Sequence, residues 1–362
     1  MKKALKTVAI NCLILLVLLV VVDFCSMIIL DLNKINNKVK NNEGLTETID
    51  VRGGLTNYKN TPWAKIYFQE FHNLPSEYKS YYGWRRTKFT GKTINIDSFG
   101  IRKTTNVTNS KSPVVVFLGG STMFGSGSDD NNTIPSLFSQ KIKGKYQVVN
   151  YGETGYNSYQ SLIFLQTQMA KGLLDSINVI ITYDGVNNTK SFKNYFSHHR
   201  EEQIQKSLKG IDTKHEYMFL YYTRTLISKI KSRYTTKIII SESKLYDKQT
   251  ARELLESWLI MRTFAEVNNA DFVCILQPNV FVGNPNITNI ENDIDYSYKG
   301  SFKYYKYVNK FIDENERYKV LKPHFIDMTN VFDNVPDVYI DFCHVSPNGS
   351  EIIADNILEY LK

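Results

Sequence analysis

The sequence predicts an α/β protein: a parallel sheet covered by helices on both faces, carried behind an N-terminal apolar helix. Three observations lead there. Short continuous apolar runs recur, the first being Val114-Val-Val-Phe-Leu118, and such a run fits a strand buried on both faces. Segments with helical periodicity follow these runs, and strand–helix alternation implies parallel strands joined by crossover helices. The 362 residues, 42% of them apolar, suffice for one α/β domain of roughly 200–250 residues plus attachments.

In chain order, Lys2, Lys3 and Lys6 precede an apolar run at 8–30, long enough to cross a bilayer as a helix of ~20 residues. Asp23 lies within it. A central Asp costs roughly 2.5–3.5 kcal/mol on insertion scales, which the Leu, Ile and Val content outweighs. Asp23-Phe24 before Cys25 offers no small-residue cleavage site, which argues against a cleaved signal peptide and a lipidated cysteine alike, so residues 1–30 read as a retained signal anchor. The short basic N-terminus favours a cytoplasmic start with the bulk of the protein outside, against a weak opposing bias from Lys34, Lys38 and Lys40. Residues 31–111 read as a polar stalk, to residue 60, and a small aromatic-rich β extension. Trp63, Tyr67, Phe68, Phe71, Tyr78, Tyr81, Tyr82 and Trp84 either line a glycan groove, lie at the membrane interface or pack the extension onto the main domain.

Residues 112–362 carry the alternation. Strands are predicted at 114–118, 146–150, 179–183, 272–277 and 325–328, and helices at 133–141, 159–171, 245–268, 304–314 and 347–361. The last helix has Ser346 as its N-cap and Pro347 at its first position. Residues 190–245 interrupt the pattern as a mostly helical insertion. The net charge of +8 comes from scattered lysines and suits an anionic membrane or glycan surface; no nucleic-acid-binding motif is present. Cys12, Cys25, Cys274 and Cys343 lack the paired spacing of a zinc site, although a Cys274–Cys343 disulfide is compatible with the sequence.

Four stretches fall where strands end or the last helix begins: Gly119-Gly-Ser121, Asn150-Tyr-Gly-Glu-Thr-Gly155, Asp184-Gly-Val-Asn187 and Asp341-Phe-Cys-His344. In open α/β sheets ligands bind at the carboxyl ends of strands. Each stretch alone fits an ordinary turn. Together they supply what serine-based ester chemistry needs: a hydroxyl (Ser121), a base (His344), a group that holds the base in one tautomer (Asp341), and oxyanion donors in the N–H groups of Ser121 and Gly155 and the Asn187 amide. Met123 excludes the Gly-x-Ser-x-Gly elbow. The glycines fit neither phosphate-binding loop, and adjacent His198-His199 make a poor metal pair.

In type and order these four blocks resemble those of the SGNH (GDSL-type) hydrolases, over roughly residues 112–362. The resemblance implies a flavodoxin-like three-layer α/β/α sandwich, with Ser121 as nucleophile, Gly155 and Asn187 as oxyanion donors, and His344 as base oriented by Asp341. It implies no metal and no organic cofactor. The wording around the blocks is most similar to membrane-anchored members linked to bacterial surface polysaccharides. Gly120 stands where the name-giving motif has Asp, Asn188 where Asp is common, and Val345-Ser-Pro follows His344 in place of an immediate Pro. The expectation is an extracytoplasmic, membrane-anchored serine esterase removing acyl, above all acetyl, groups from a cell-surface carbohydrate. The alternatives are an O-acyltransferase using the same site with a membrane acyl-donor partner, and a non-catalytic polysaccharide-binding or assembly protein.

Overall fold

The structure, a computed structural model, describes residues 2–40, 50–105, 112–172, 177–190, 222–223, 226–227 and 243–361. It forms two compact units, Met1–Ile49 with Gln203–Ser243, and Asp50–Glu202 with Lys244–Lys362.

The first unit contains helix α1 (Lys2–Lys40). Within it the span Lys6–Leu32, 27 residues long, reaches a mean hydropathy of 3.1 over its most apolar 18 residues; at 1.5 Å per residue it is about 40 Å long, which exceeds a hydrocarbon core of ~30 Å. Asp23 is not left bare. Its Oδ1 accepts the backbone N–H and the hydroxyl of Thr223 at 2.8 and 2.9 Å, two bonds that offset part of the cost of a carboxylate on an apolar helix. Of the 190–245 insertion only residues 190, 222–223, 226–227 and 243–245 are described; the rest, with His198 and His199, lies outside the described residues.

The second unit begins with a polar-to-aromatic segment that differs from the expected stalk. α1 continues to Lys40, and from Asp50 the chain is already packed: Asp50 caps a 3₁₀ turn, Val51–Gly54, and Tyr58 is buried. Helix α2 (Ala64–His72) is followed by an antiparallel hairpin of β1 (Ser76–Lys79) and β2 (Gly83–Arg86), then by the short pair β3 (Phe89–Thr90) and β4 (Asn95–Ile96). Tyr58, Tyr67 and Phe68 meet edge to face, with ring centroids 5.1–5.6 Å apart, and form a cluster with Ile94, Ile96 and Phe124. These aromatics are therefore core; Tyr78 and Tyr81 remain exposed. Fully buried Arg102 staples the extension to the sheet domain by donating to the carbonyls of Phe124, Gly125 and Ser128 and to Asp130.

The sheet contains β5 (Val114–Gly119), β6 (Gln147–Asn150), β7 (Ile177–Asp184), β8 (Asp271–Leu276) and β9 (Phe325–Asp327), all parallel, in the order β6-β5-β7-β8-β9. That is the 2-1-3-4-5 order of flavodoxin-like folds, with its switch point between β5 and β7. Its helices include α3 (Ser121–Phe124), α4 (Ile134–Lys141), α5 (Ser158–Ala170), α6 (Ser243–Val267), α7 (Tyr305–Glu314) and α8 (Pro347–Tyr360). Alternate residues of β5 divide between two cores. Val116 and Leu118 pack with α5, α6 and α7, whereas Val115 and Phe117 pack with α4 and α8. A strand covered on both sides must be apolar at every position, which is why the predicted runs were continuous.

All five predicted strands and five predicted helices occur, shifted by at most two residues. Ser346 occupies the N-cap of α8, but its hydroxyl donates to the Asp337 carbonyl instead of capping the helix. Cys274 and Cys343 are not joined in a disulfide; both are thiols. Cys274 lies within β8 with its thiol on the His324 carbonyl, while Cys343 lies beside the His344 ring.

Candidate active site

The first block follows β5. At Gly119 a side chain would strike the Tyr183 carbonyl of β7, and at Gly120 it would strike the Asn187 amide. Two glycines therefore let the chain turn against its neighbours and start α3 with Ser121. In this conformation a Cβ at Gly120 would occupy the place of Nδ2 of Asn187. α3 is a single turn, closed when Gly125 takes the left-handed conformation.

The second block is tied to that turn. The Asn150 amide donates to the Met123 carbonyl at 3.1 Å, and its own oxygen accepts Gly152 N–H at 2.9 Å. Buried Glu153 accepts Arg86 N–H from β2 at 2.8 Å and both the N–H and the hydroxyl of Thr154. Gly155 then adopts φ +79°, open to glycine at no steric cost. In the third block, Asn187 donates to the Tyr156 carbonyl at 2.8 Å, which joins the second and third blocks. Asn188, where Asp is common, holds the Ser158 hydroxyl at the start of α5 at 2.8 Å. Beneath this loop Asp184 is fully buried, accepting from the Thr182 hydroxyl and from the Trp258 indole N–H. Burial pushes its carboxyl up to about 6 against the pull of those two donors.

The fourth block is an Asx turn. Asp341 Oδ1 accepts the N–H groups of Cys343 and His344 at 3.0 and 2.8 Å, while Oδ2 accepts from His344 Nδ1 at 2.7 Å. The opposite ring nitrogen, Nε2, lies 2.6 Å from Ser121 Oγ. A carboxylate only accepts, so Nδ1 carries the proton and Nε2 is left to accept from the serine hydroxyl. Burial raises the carboxyl of Asp341, but the facing His344 ring and the two backbone donors outweigh it and hold it well below the ordinary carboxylate range. The loop is braced from below: the Thr122 hydroxyl donates to the Cys343 carbonyl and accepts from buried Gln277. The side chains of His344 and Asp341 are 18% and 26% exposed, so the three-residue chain reaches solvent, as a site for an external substrate requires.

The structure thus brings Ser121, His344 and Asp341 into one hydrogen-bonded line, from elements 220 residues or more apart, and sets Asn187 against the Ser121 turn. Gly155 stands one residue before Tyr156, whose carbonyl the Asn187 amide holds. Asp341, Cys343 and His344 place donor atoms within 4.8 Å of one another, but the Asp341 oxygens are already taken by His344 and by Arg52. Sequence reading missed Arg52, which donates from Nη1 to Asp341 Oδ2 at 2.9 Å, and Asp50, which holds it. It belongs to the segment expected to be a stalk, 289 residues from its partner, and no local pattern marks it. A groove of about 480 Å³ along β6, lined by Lys88, Arg102 and Lys103 among others, includes none of Ser121, Asn187 and His344.

No family model matches the chain, and no curated protein matches it. Solved structures do. An acetyl xylan esterase, AlAXEase, is 14% identical at a TM-score of 0.39, over 69% of this chain and 100% of its own. A carbohydrate acetylesterase family member from Sinorhizobium meliloti is 12% identical at 0.35, over 69% and 97%. A member of the lipolytic protein G-D-S-L family from Veillonella parvula is 10% identical at 0.39, over 68% and 96%. At such distance the likeness carries no chemistry, which rests on the side chains of this chain.

Proposed function

We propose that this chain is a serine ester hydrolase that removes acyl groups, acetyl above all, from a carbohydrate. The observation that carries the reading is the unbroken line Ser121 Oγ–His344 Nε2–His344 Nδ1–Asp341 Oδ2, with steps of 2.6 and 2.7 Å. Ser121 attacks the ester carbonyl as its proton passes to Nε2, and the imidazolium that forms is stabilised by Asp341. Negative charge on the carbonyl oxygen is met by the N–H groups of Ser121 and Gly155 and by the Asn187 amide, donors fixed before the reaction begins. His344 returns the proton to the leaving sugar hydroxyl, then takes one from a water that releases the acyl group. The Asn187 amide donates to Tyr156 in the free protein, and its second N–H is left for substrate.

The carbohydrate substrate rests on the resemblance of the blocks to surface-polysaccharide members of that family. We read Lys6–Leu32 as a retained anchor that holds the domain at the outer face of the membrane. That apolar helix also favours a second reading, an O-acyltransferase in which a sugar hydroxyl replaces water and a membrane partner delivers the acyl group. The first test is hydrolysis of a short-chain aryl acetate by the full chain in detergent, beside Ser121→Ala and His344→Ala. We expect serine-dependent release, with each variant at least a thousandfold slower. Full activity in a folded Ser121→Ala protein sinks the assignment. Acylated glycan forming faster than free acetate separates transfer from hydrolysis.

A further inference from the structure

We propose that Arg52 is a positioning residue of this site, a fourth member that holds the shared carboxylate and sets the pH at which the base becomes available. The inference rests on the proposed esterase reading and adds to it a residue from outside the sheet domain.

The geometry is specific to arginine. Nε and Nη2 of Arg52 form a fork on Asp50, at 3.0 and 2.7 Å, and the guanidinium carbon lies 5.1 Å from the Phe68 ring centroid. A planar group fixed on one edge by a carboxylate and covered by a ring has one direction left for its third nitrogen. That nitrogen, Nη1, meets Asp341 Oδ2 at 2.9 Å, the same oxygen that accepts from His344 Nδ1. Asp341 therefore has four donors: two backbone N–H groups on Oδ1, and the imidazole and the guanidinium on Oδ2. Rotation of the carboxylate away from the ring breaks the Arg52 bond as well, so the arginine guards the orientation of His344.

Charge gives the second consequence. Asp50, Arg52 and Asp341 together carry one net negative charge behind the imidazole. Among the described residues, the other titratable groups around them are the Tyr58 and Tyr67 phenols, which donate to the carbonyls of Gly127 and Gly125, and the Cys343 thiol beside the ring. Loss of Arg52 leaves two negative charges, favours the imidazolium and moves the acid limb of kcat/KM to higher pH. Loss of the Asp50 charge leaves none and moves that limb to lower pH. A brace without an electrostatic role would slow both variants and shift neither limb.

The experiment is the pH profile of kcat/KM for aryl acetate hydrolysis by the full chain in detergent, for wild type, Arg52→Gln, Arg52→Lys and Asp50→Asn. Labelling of Ser121 by a fluorophosphonate at each pH provides an independent readout. Arg52→Gln should lose about tenfold in kcat/KM on the alkaline plateau and move its acid limb up by about half to one pH unit, the lower end of what a nearby charge does in a partly exposed site. Asp50→Asn should move the limb down. Arg52→Lys should restore the limb, because the charge is kept, but only part of the rate, because the fork is lost. Unmoved limbs in both charge variants, with wild type active, overturn the role of Arg52 and leave the esterase reading standing. A wild type that neither turns over nor labels at Ser121 overturns both.

Discussion

Asp184 lies beneath the loop that presents Asn187, and the cost of its burial can be measured. The carboxyl is 3% exposed. Its Oδ2 accepts from Thr182 and Trp258, and Oδ1 has no partner among the described residues. Burial lifts it from 3.8 to about 6, which corresponds to about 3 kcal/mol at 1.36 kcal/mol per pKa unit. Well below pH 4 the group is protonated in the folded and unfolded chains, and no cost arises. Between pH 4 and 6 the unfolded chain ionises first and stability falls. Above pH 6 both states are ionised and the loss is complete. Asp184→Asn keeps an acceptor for Thr182 and Trp258 but cannot ionise. Its stability relative to wild type should therefore rise by about 2.5 kcal/mol from pH 4 to pH 8, because the unfolded carboxyl is already about half ionised at pH 4, whatever constant offset the new amide imposes. For a unit of this size that is about 5–10 °C in Tm. Glu253, which burial pushes up to about 7, titrates in both proteins and cancels. The assay is thermal unfolding followed by tryptophan fluorescence at pH 4, 6 and 8. Trp63, Trp84 and Trp258 all lie in the second unit, and Trp258 touches the group in question. A Tm difference between variant and wild type that is the same at all three pH values refutes the argument, because the carboxylate would then be as well solvated folded as unfolded.

Two further variants address the oxyanion side. Asn187→Ala should lower kcat by about 10²–10³, with a stability loss of about 1 kcal/mol from the Tyr156 bond; unchanged kcat would exclude the amide from the reaction. Gly120→Ala places a Cβ against the Asn187 amide and the Tyr156 carbonyl, so activity should fall as in Asn187→Ala and the Tm should drop. The double variant should recover most of the Tm lost to Gly120→Ala, because the closer clash is gone and only the tight contact with the Tyr156 carbonyl remains, but not the rate. Additive stability losses would show that the two residues do not collide.

Sequence alone carried the sheet domain a long way. Strands buried on both faces must be apolar throughout and helices must repeat every 3.6 residues, so 114–118 and 347–361 announced themselves, as did the glycines where β5 turns. The four blocks could be read because each sits at the end of an element, where a local turn and a reactive side chain are specified together. The extension escaped for the opposite reason. Asp50-Val-Arg52 has no periodicity, and Tyr67 and Phe68 looked as suited to a ligand groove as to a core, because burial of an aromatic depends on what packs over it. Only the folded chain decided that they face Tyr58, and that the guanidinium of Arg52 spans two carboxylates 291 residues apart. An ion pair between segments so distant leaves no spacing in the sequence; it exists because Phe68 and Asp50 hold one arm of the arginine in the single direction where Asp341 lies.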